Sequence, residues 1–300
     1  MSPIVQFILS FFLSWLMVLG LLPSLQKIAI DTPNSRSSHF KPTPRGGGIA
    51  FVIIGSFLFF LSSNGESRWI PIICLPLAVT GLLDDLKGLP ASWRYVIQVL
   101  TAIAILGVAK LAFSPWSFMV ALILIPAIIN FVNFMDGLDG LVAGCSVLLL
   151  AGTSSWTLSG AILGFLIWNW SPAKVFMGDV GSTFIGAVYA AMIFQESSIQ
   201  SAFNIFLLGF PLFADAFTCV VRRFFMGKNI FSAHRMHLFQ RLHQAGWHHS
   251  RVASLYILAT ALLTLSHLVG GTLLLLIVAG FEFLAGIYLD LKIAVEIDET

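Results

Sequence analysis

Four polar side chains recur at three-residue steps in one short stretch: Asn130, Asn133, Asp136 and Asp139. On a helix, neighbours at that spacing lie on one face, one above the other. Two carboxylates with no basic neighbour repel each other unless a cation or a donor-rich ligand sits between them. Gly137 and Gly140 follow the aspartates, where a helix end or an approaching ligand needs a missing side chain. A polar helix end with Asp as its cap accounts for the same residues, so the decision rests on their company.

That company is acidic, glycine-rich and basic in turn. Asp84 and Asp85 are adjacent, about 100° apart on a helix; a divalent cation, or a cation with a phosphate-bearing ligand, relieves their repulsion, the alternative being a hydrophilic turn. Gly178-Asp179-Val180-Gly181-Ser182 precedes an apolar run. Asp179 then stands near a helix N-terminus, where N–H groups and the dipole favour anions. A plain N-cap is the competing reading, yet the flanking glycines also suit a phosphate or a metal. Between Asp31 and Gly48 the chain carries Arg36, His39, Lys41 and Arg45 before three consecutive glycines. A positive anchor for the flanking helices explains the charge but not the glycines, which let backbone approach a partner closely. The last polar segment holds Asp215, Arg222, Arg223, His234, Arg235, His237, Arg241, His243, His248 and His249. It can lie on anionic headgroups or grip a pyrophosphate, which Arg does bidentately. His234 and His237 can share a helix face. Zinc is disfavoured here, because no Cys stands nearby in sequence and hard carboxylates dominate.

Elements that position these residues must cross a membrane. The 300 residues are 58% hydrophobic and only 10% charged, against about 25% charged in soluble domains. Cys74, Cys145 and Cys219 lie in or beside apolar runs and read as buried thiols. The first apolar run lacks a basic leader and a small-residue cleavage site, so a retained helix is expected, not a signal peptide. Runs near span length predict an all-α polytopic helical bundle in a single domain, 1–300. The expected crossings are 4–23, 48–63, 69–83, 94–110, 115–133, 138–152, 156–171, 181–195, 200–221, 251–269 and 271–290. Eleven is the count, or ten if Gly270-Gly271 does not divide the last two. All but Arg68 and Lys110 of the 16 Lys and Arg residues fall on one side, which the positive-inside rule makes cytoplasmic. From Asp31 to Asp215 that side carries seven Asp and no Glu. Short carboxylates at helix mouths in so charge-poor a chain point to a site. Oxygen donors favour Mg²⁺, or Mn²⁺, and Mg²⁺ is usually held by one or two carboxylates plus substrate phosphates. Arg and His beside it mean phosphoryl chemistry, and the location suggests a lipid substrate. His267, inside an apolar span, reads as a satisfied core histidine.

Taken in order, Asp84-Asp85, Asn130-x-x-Asn133-x-x-Asp136-Gly-x-Asp139-Gly, Phe176-x-Gly-Asp179-x-Gly-Ser182 and His234-Arg-x-His237 resemble the polyprenyl-phosphate N-acetylhexosamine-1-phosphate transferases, glycosyltransferase family 4. The likeness runs from about residue 31 to residue 251. It implies that undecaprenyl phosphate attacks the β-phosphorus of a UDP-N-acetyl sugar in the bacterial inner membrane, giving undecaprenyl-diphospho-sugar and UMP. By that resemblance Asp179 is a Mg²⁺ ligand, and Asp84 and Asp85 serve the metal or the lipid phosphate. Asn130, Asn133, Asp136 and Asp139 line the nucleotide pocket, His234, Arg235 and His237 hold the diphosphate, and Lys41 and Arg45 approach either phosphate.

The last loop, His-Arg-Met-His-Leu-Phe-Gln-Arg-Leu, is similar to initiators of O-antigen and capsule. It favours GlcNAc, FucNAc or QuiNAc donors and a place in lipopolysaccharide synthesis. The alternatives are the phospho-N-acetylmuramoyl-pentapeptide transferase reaction of peptidoglycan synthesis and, in another class, an ion-coupled transporter. A transporter places polar groups near the midplane of two related halves; these acids lie at one face and no halves repeat. A homodimer is compatible with the reading, and nothing points to nucleic acid.

Overall fold

The computed structural model describes residues 2–33, 38–39, 41–228 and 234–296; Arg36 of the first loop lies outside them. The chain is an all-α multi-pass membrane protein. Its helices are α1 (Pro3–Ile28), α2 (Ile49–Ser62), α3 (Ile70–Lys87), α4 (Ala91–Gly107), α5 (Pro115–Met135) and α6 (Leu141–Gly152), followed by α7 (Trp156–Asn169), α8 (Asp179–Phe194), α9 (Ile199–Leu208), α10 (Phe210–Phe225), α11 (Leu238–Gln244) and α12 (His249–Lys292). A two-residue ladder pairs Ile30–Asp31 with Thr43–Pro44. Local signals set several starts. Ser114 and Ser117 form a capping box around Pro115, the first residue of α5, where a proline has no hydrogen bond to lose.

The centre of the bundle is α8. Val180 to Phe194 are buried without exception, and a helix that is apolar all round belongs inside. It packs chiefly against α3 and α5, while α7 lies between α1 and α6. The helix α6 has 12 residues and α7 has 14, about 18–21 Å at 1.5 Å per residue, short of the ~30 Å hydrocarbon layer. Each expected crossing has its helix, but among the described residues four, with α12 taken as one, are individually long and apolar enough to span.

Two of the expected crossings meet in a hairpin. Tyr256 and Leu289 line one cavity, and Asp290 pairs with Arg241, which precedes α12. In a straight helix residues 256 and 289 would stand about 50 Å apart. The chain instead reverses at Gly271 (φ 66°, ψ −163°), backbone that glycine alone adopts readily. The opposite correction applies to 200–221. There α9 and α10 meet at 79°, because Pro211 has no N–H to carry the ladder across Gly209.

Candidate active site

The acids assemble at one end of α8. The last turn of α3 carries Asp84 and Asp85, and Gly88 (φ 67°) closes it by donating to the Asp84 carbonyl. One turn earlier, Gly81 lies against the start of α8: a Cβ there would stand 2.4 Å from the Asp179 carbonyl carbon. That backbone-to-backbone crossing lets the buried Asp85 carboxylate accept the N–H groups of Asp179 (3.1 Å) and Val180 (3.2 Å). The carboxylate therefore occupies the anion-favouring start of α8. Gly178 is equally constrained, since a Cβ would lie 2.3 Å from Asp85 Oδ2. Arg45 donates to the Asp85 carbonyl, and its Nε is 3.9 Å from Oδ1.

Asp84 and Asp179 converge on one nitrogen. Arg94 Nη1 donates to Asp84 Oδ2 at 2.7 Å and to Asp179 Oδ2 at 3.0 Å. From the last turn of α5, Asn133 donates to Asp179 Oδ1 (3.0 Å) and Ser182 Oγ (2.8 Å). Two carboxylates sharing one cationic atom, with amide and hydroxyl groups behind them, form a hard oxygen donor set.

Beside them opens a cleft of about 220 Å³, with Arg45, Asp85, Asp136, Asp139, Asp179, Gln240 and His249 on its walls. Burial first, then the charges of Asp179, Asp85 and Asp139, push the Asp136 carboxyl up to about 8. Asp139 goes the other way. Burial opposes its charge, but His249 Nδ1 at 3.2 Å and the Ala173 N–H at 3.1 Å outweigh it and hold the carboxyl below its usual range. His249 Nε2 lies 3.1 Å from the Ser38 carbonyl, tying α12 to the first loop.

Other expected residues are placed elsewhere. Asn130 is spent on a reciprocal amide pair with Gln98 (3.0 and 2.9 Å) and on the Pro126 carbonyl (2.8 Å), a clasp between α4 and α5. Lys41 is exposed. The glycines of the first loop approach the chain itself: Gly47 and Gly48 donate to the carbonyls of Phe176 and Met177. His234, Arg235 and His237 do not line the cleft. His237, just before α11, is buried against α10, its Nδ1 3.5 Å from Asp215 Oδ1. Burial disfavours its charge, but Asp215 prevails and raises the imidazole to about 9. His234 is pushed down to about 4 by burial and by the neighbouring His237 charge. Asp215 also accepts the Leu238 and Phe239 N–H groups and the Tyr256 hydroxyl, so it anchors the start of α11. His267 is half-buried and its Nδ1 has no hydrogen-bond partner among the described residues, so it is not the satisfied histidine expected.

Sequence reasoning singled out neither Arg94 nor Gln240, and counted His249 only as one histidine of the last polar segment. Arg94 had a usable signal, a lone cation ten residues beyond Asp84 at the start of the next apolar run. The other two are placed only by the docking of α11 and α12.

Known proteins resemble this chain along most of its length. The profile of Glycosyl transferase family 4 matches residues 68–196, the interval that holds Asp84 through Asp179. A Bacillus subtilis (strain 168) protein named "Probable undecaprenyl-phosphate N-acetylglucosaminyl 1-phosphate transferase" is 32% identical over 82% of this chain and 79% of its own length. An undecaprenyl-phosphate alpha-N-acetylglucosaminyl 1-phosphate transferase of Thermotoga maritima is 32% identical over 71% of this chain and 73% of its own. A phospho-N-acetylmuramoyl-pentapeptide-transferase of a Synechococcus strain is 28% identical over 75% of the chain and 79% of its own. With its acids gathered at the mouth of α8 and these relatives along most of its length, the chain belongs to the polyprenyl-phosphate N-acetylhexosamine-1-phosphate transferases.

Proposed function

We propose that this chain transfers an N-acetylhexosamine 1-phosphate from a UDP-sugar to undecaprenyl phosphate at the cytoplasmic face of a bacterial inner membrane. The product would be the first lipid-linked intermediate of O-antigen or another surface polysaccharide. The observation that carries the reading is the convergence of Asp84 and Asp179 on Arg94 Nη1 beside a cleft bearing Asp136 and Asp139.

The donor set fits Mg²⁺: Asp179 and Asp84 would hold it, with Arg94 giving way, and Mn²⁺ suits the same oxygens. Bound there, the ion would neutralise charge on the diphosphate. The lipid phosphate oxygen forms the new bond to the β-phosphorus as the bond to UMP breaks. With a second pKa near 6, that phosphate is already mostly dianionic at pH 7, so no side chain need remove a proton. Asn133 orients Asp179, Asp85 fixes the start of α8, and Arg45 with Lys41 offers positive charge to the phosphates. Asp136, Asp139 and Gln240 would line the nucleotide-sugar pocket. The likeness of the last loop, His234 to Leu242, to O-antigen and capsule initiators favours a GlcNAc-type or 6-deoxy donor.

Purified protein in detergent, given undecaprenyl phosphate, Mg²⁺ and a panel of UDP-N-acetyl sugars, tests this directly. Lipid- and Mg²⁺-dependent UMP release from one sugar, silenced by EDTA and by Asp179→Asn, is expected. Near-normal turnover by Asp179→Asn would refute the metal assignment, and turnover of the muramoyl-pentapeptide nucleotide alone would move the reaction to peptidoglycan.

A further inference from the structure

The fold brings to the last loop the thiol that its sequence lacks. Cys219 sits on α10 one turn beyond Asp215, so both point to one side. The Cys219 Sγ is 3.9 Å from His234 Nδ1, and one ligand atom from each of Cys219, His234 and His237 lies within 4.8 Å of the others. Cys219 and His237 are each only 3% exposed. The two imidazoles stack at 4.9 Å, with an interplanar angle of 29°.

We propose that Cys219, His234 and His237 form a binding site for a soft or borderline divalent cation of the Zn²⁺ class, separate from the carboxylate cleft. One thiolate and two imidazoles suit Zn²⁺ and disfavour Mg²⁺. Asp215 supplies the outer support that such sites use. It faces His237 Nδ1 at 3.5 Å, leaving Nε2 for the metal, in the carboxylate–histidine–metal arrangement. Its oxygens are already engaged by Leu238, Phe239 and Tyr256, so it orients without ligating. His234 Nδ1 accepts the Met236 N–H at 3.4 Å, so it carries the lone pair, and it must release that donor to ligate the ion.

The Cys219 thiolate and the Asp215 carboxylate together offset a dication, against the positive charge that Arg223 and Lys228 also direct at His234. Binding releases the thiol proton and the second proton of the His237 imidazolium to solvent. Ligand atoms around a tetrahedral ion stand about 3.3–3.8 Å apart given bond lengths near 2.0–2.3 Å, so atoms now within 4.8 Å of one another must close by up to about 1.5 Å. Three protein ligands leave a fourth position for water. The ion would pin the segment before α11 to α10. That matters to the cleft because α11 carries Gln240 into it and Phe239 against Gly137.

Cobalt(II) is the probe. Purified full-length protein in detergent, freed of metal by a chelator, is titrated with Co²⁺ in excess Mg²⁺. A thiolate-to-Co²⁺ charge-transfer band that saturates at one ion per chain and bleaches with Zn²⁺ is expected. It should vanish in Cys219→Ser, weaken at least tenfold in apparent affinity in His234→Ala, and persist in Cys145→Ala and Asp179→Asn. Absence of the band in the wild-type protein overturns the proposal, whether or not Cys219→Ser folds. So does a band that survives Cys219→Ser. The readout is independent of turnover, so failure here leaves the transferase reading standing.

Discussion

Replacing Asp85 by Asn separates a group that positions the chemistry from one that touches the ligand. Asp85 is 5% exposed, and its two oxygens each receive one backbone N–H from the first residues of α8. A hydrogen bond to a charged group contributes about 1.5–3 kcal/mol, and a buried donor left without an acceptor costs a comparable amount. Asn keeps one acceptor oxygen and turns an amide N–H toward the other donor. The start of α8 should therefore lose about 3 kcal/mol of local stability, roughly a hundredfold in its opening equilibrium. Asp179 begins that helix, and a displacement near 1 Å at a reacting centre costs about 10² in rate. We expect hydrogen exchange at the Asp179 and Val180 amides to accelerate by about two orders of magnitude, with UMP release falling by a similar factor. If turnover falls while those amides exchange as in the wild type, Asp85 acts on the ligand itself and the reasoning fails. It fails equally if exchange accelerates and turnover does not change.

Gly81→Ala would thrust a methyl group to within 2.4 Å of the Asp179 backbone; overpacking of this kind costs about 1–3 kcal/mol or more, and thermal unfolding in detergent should record a lower midpoint. Asp139 has a lowered carboxyl pKa, so its contribution to stability is present above the unfolded value near 3.9 and is lost as pH falls through the lower folded value. Acid unfolding profiles of wild type and His249→Ala should show the mutant losing this contribution at higher pH; coincident profiles would remove His249 as its partner. His267→Leu should leave UMP release unchanged and stability equal or higher, because it deletes a buried nitrogen that has no partner among the described residues; a large rate loss would give that histidine a part in the chemistry.

Apolar runs and their breaks were legible because lipid exposure and burial both demand them. The starts of α5 at Pro115 and of α7 at Trp156 fall where the runs begin. The bend at Gly209 was not legible, although Pro211 was in view, because a proline in the first turn is harmless at a helix start and breaks a helix only if the helix is continuous. At the site, Asp84, Asp85, Asp136, Asp139 and Asp179 came together as their shared side predicted. Asn130 did not join them. Its three-residue step from Asn133 sets a common face, but Gln98 on the neighbouring helix takes that amide, and a pairing between helices leaves no trace in local spacing. His237 and Cys219 stand eighteen positions apart in the chain, so their proximity belongs to the fold alone.

Arg94 gives the acidic end of the bundle its own counter-charge. Asp84 and Asp179 share a guanidinium on α4 that offsets one of their two charges, so the fold does not require an ion from solution to hold α3, α4 and α8 together. A chelator should therefore act as a reversible brake, silencing turnover while leaving the purified protein intact and ready to be restarted. The same tether sets the affinity for the ion. An arriving divalent ion competes with a side chain already bonded to both carboxylates, so the Mg²⁺ concentration for half-maximal activation should fall in Arg94→Gln.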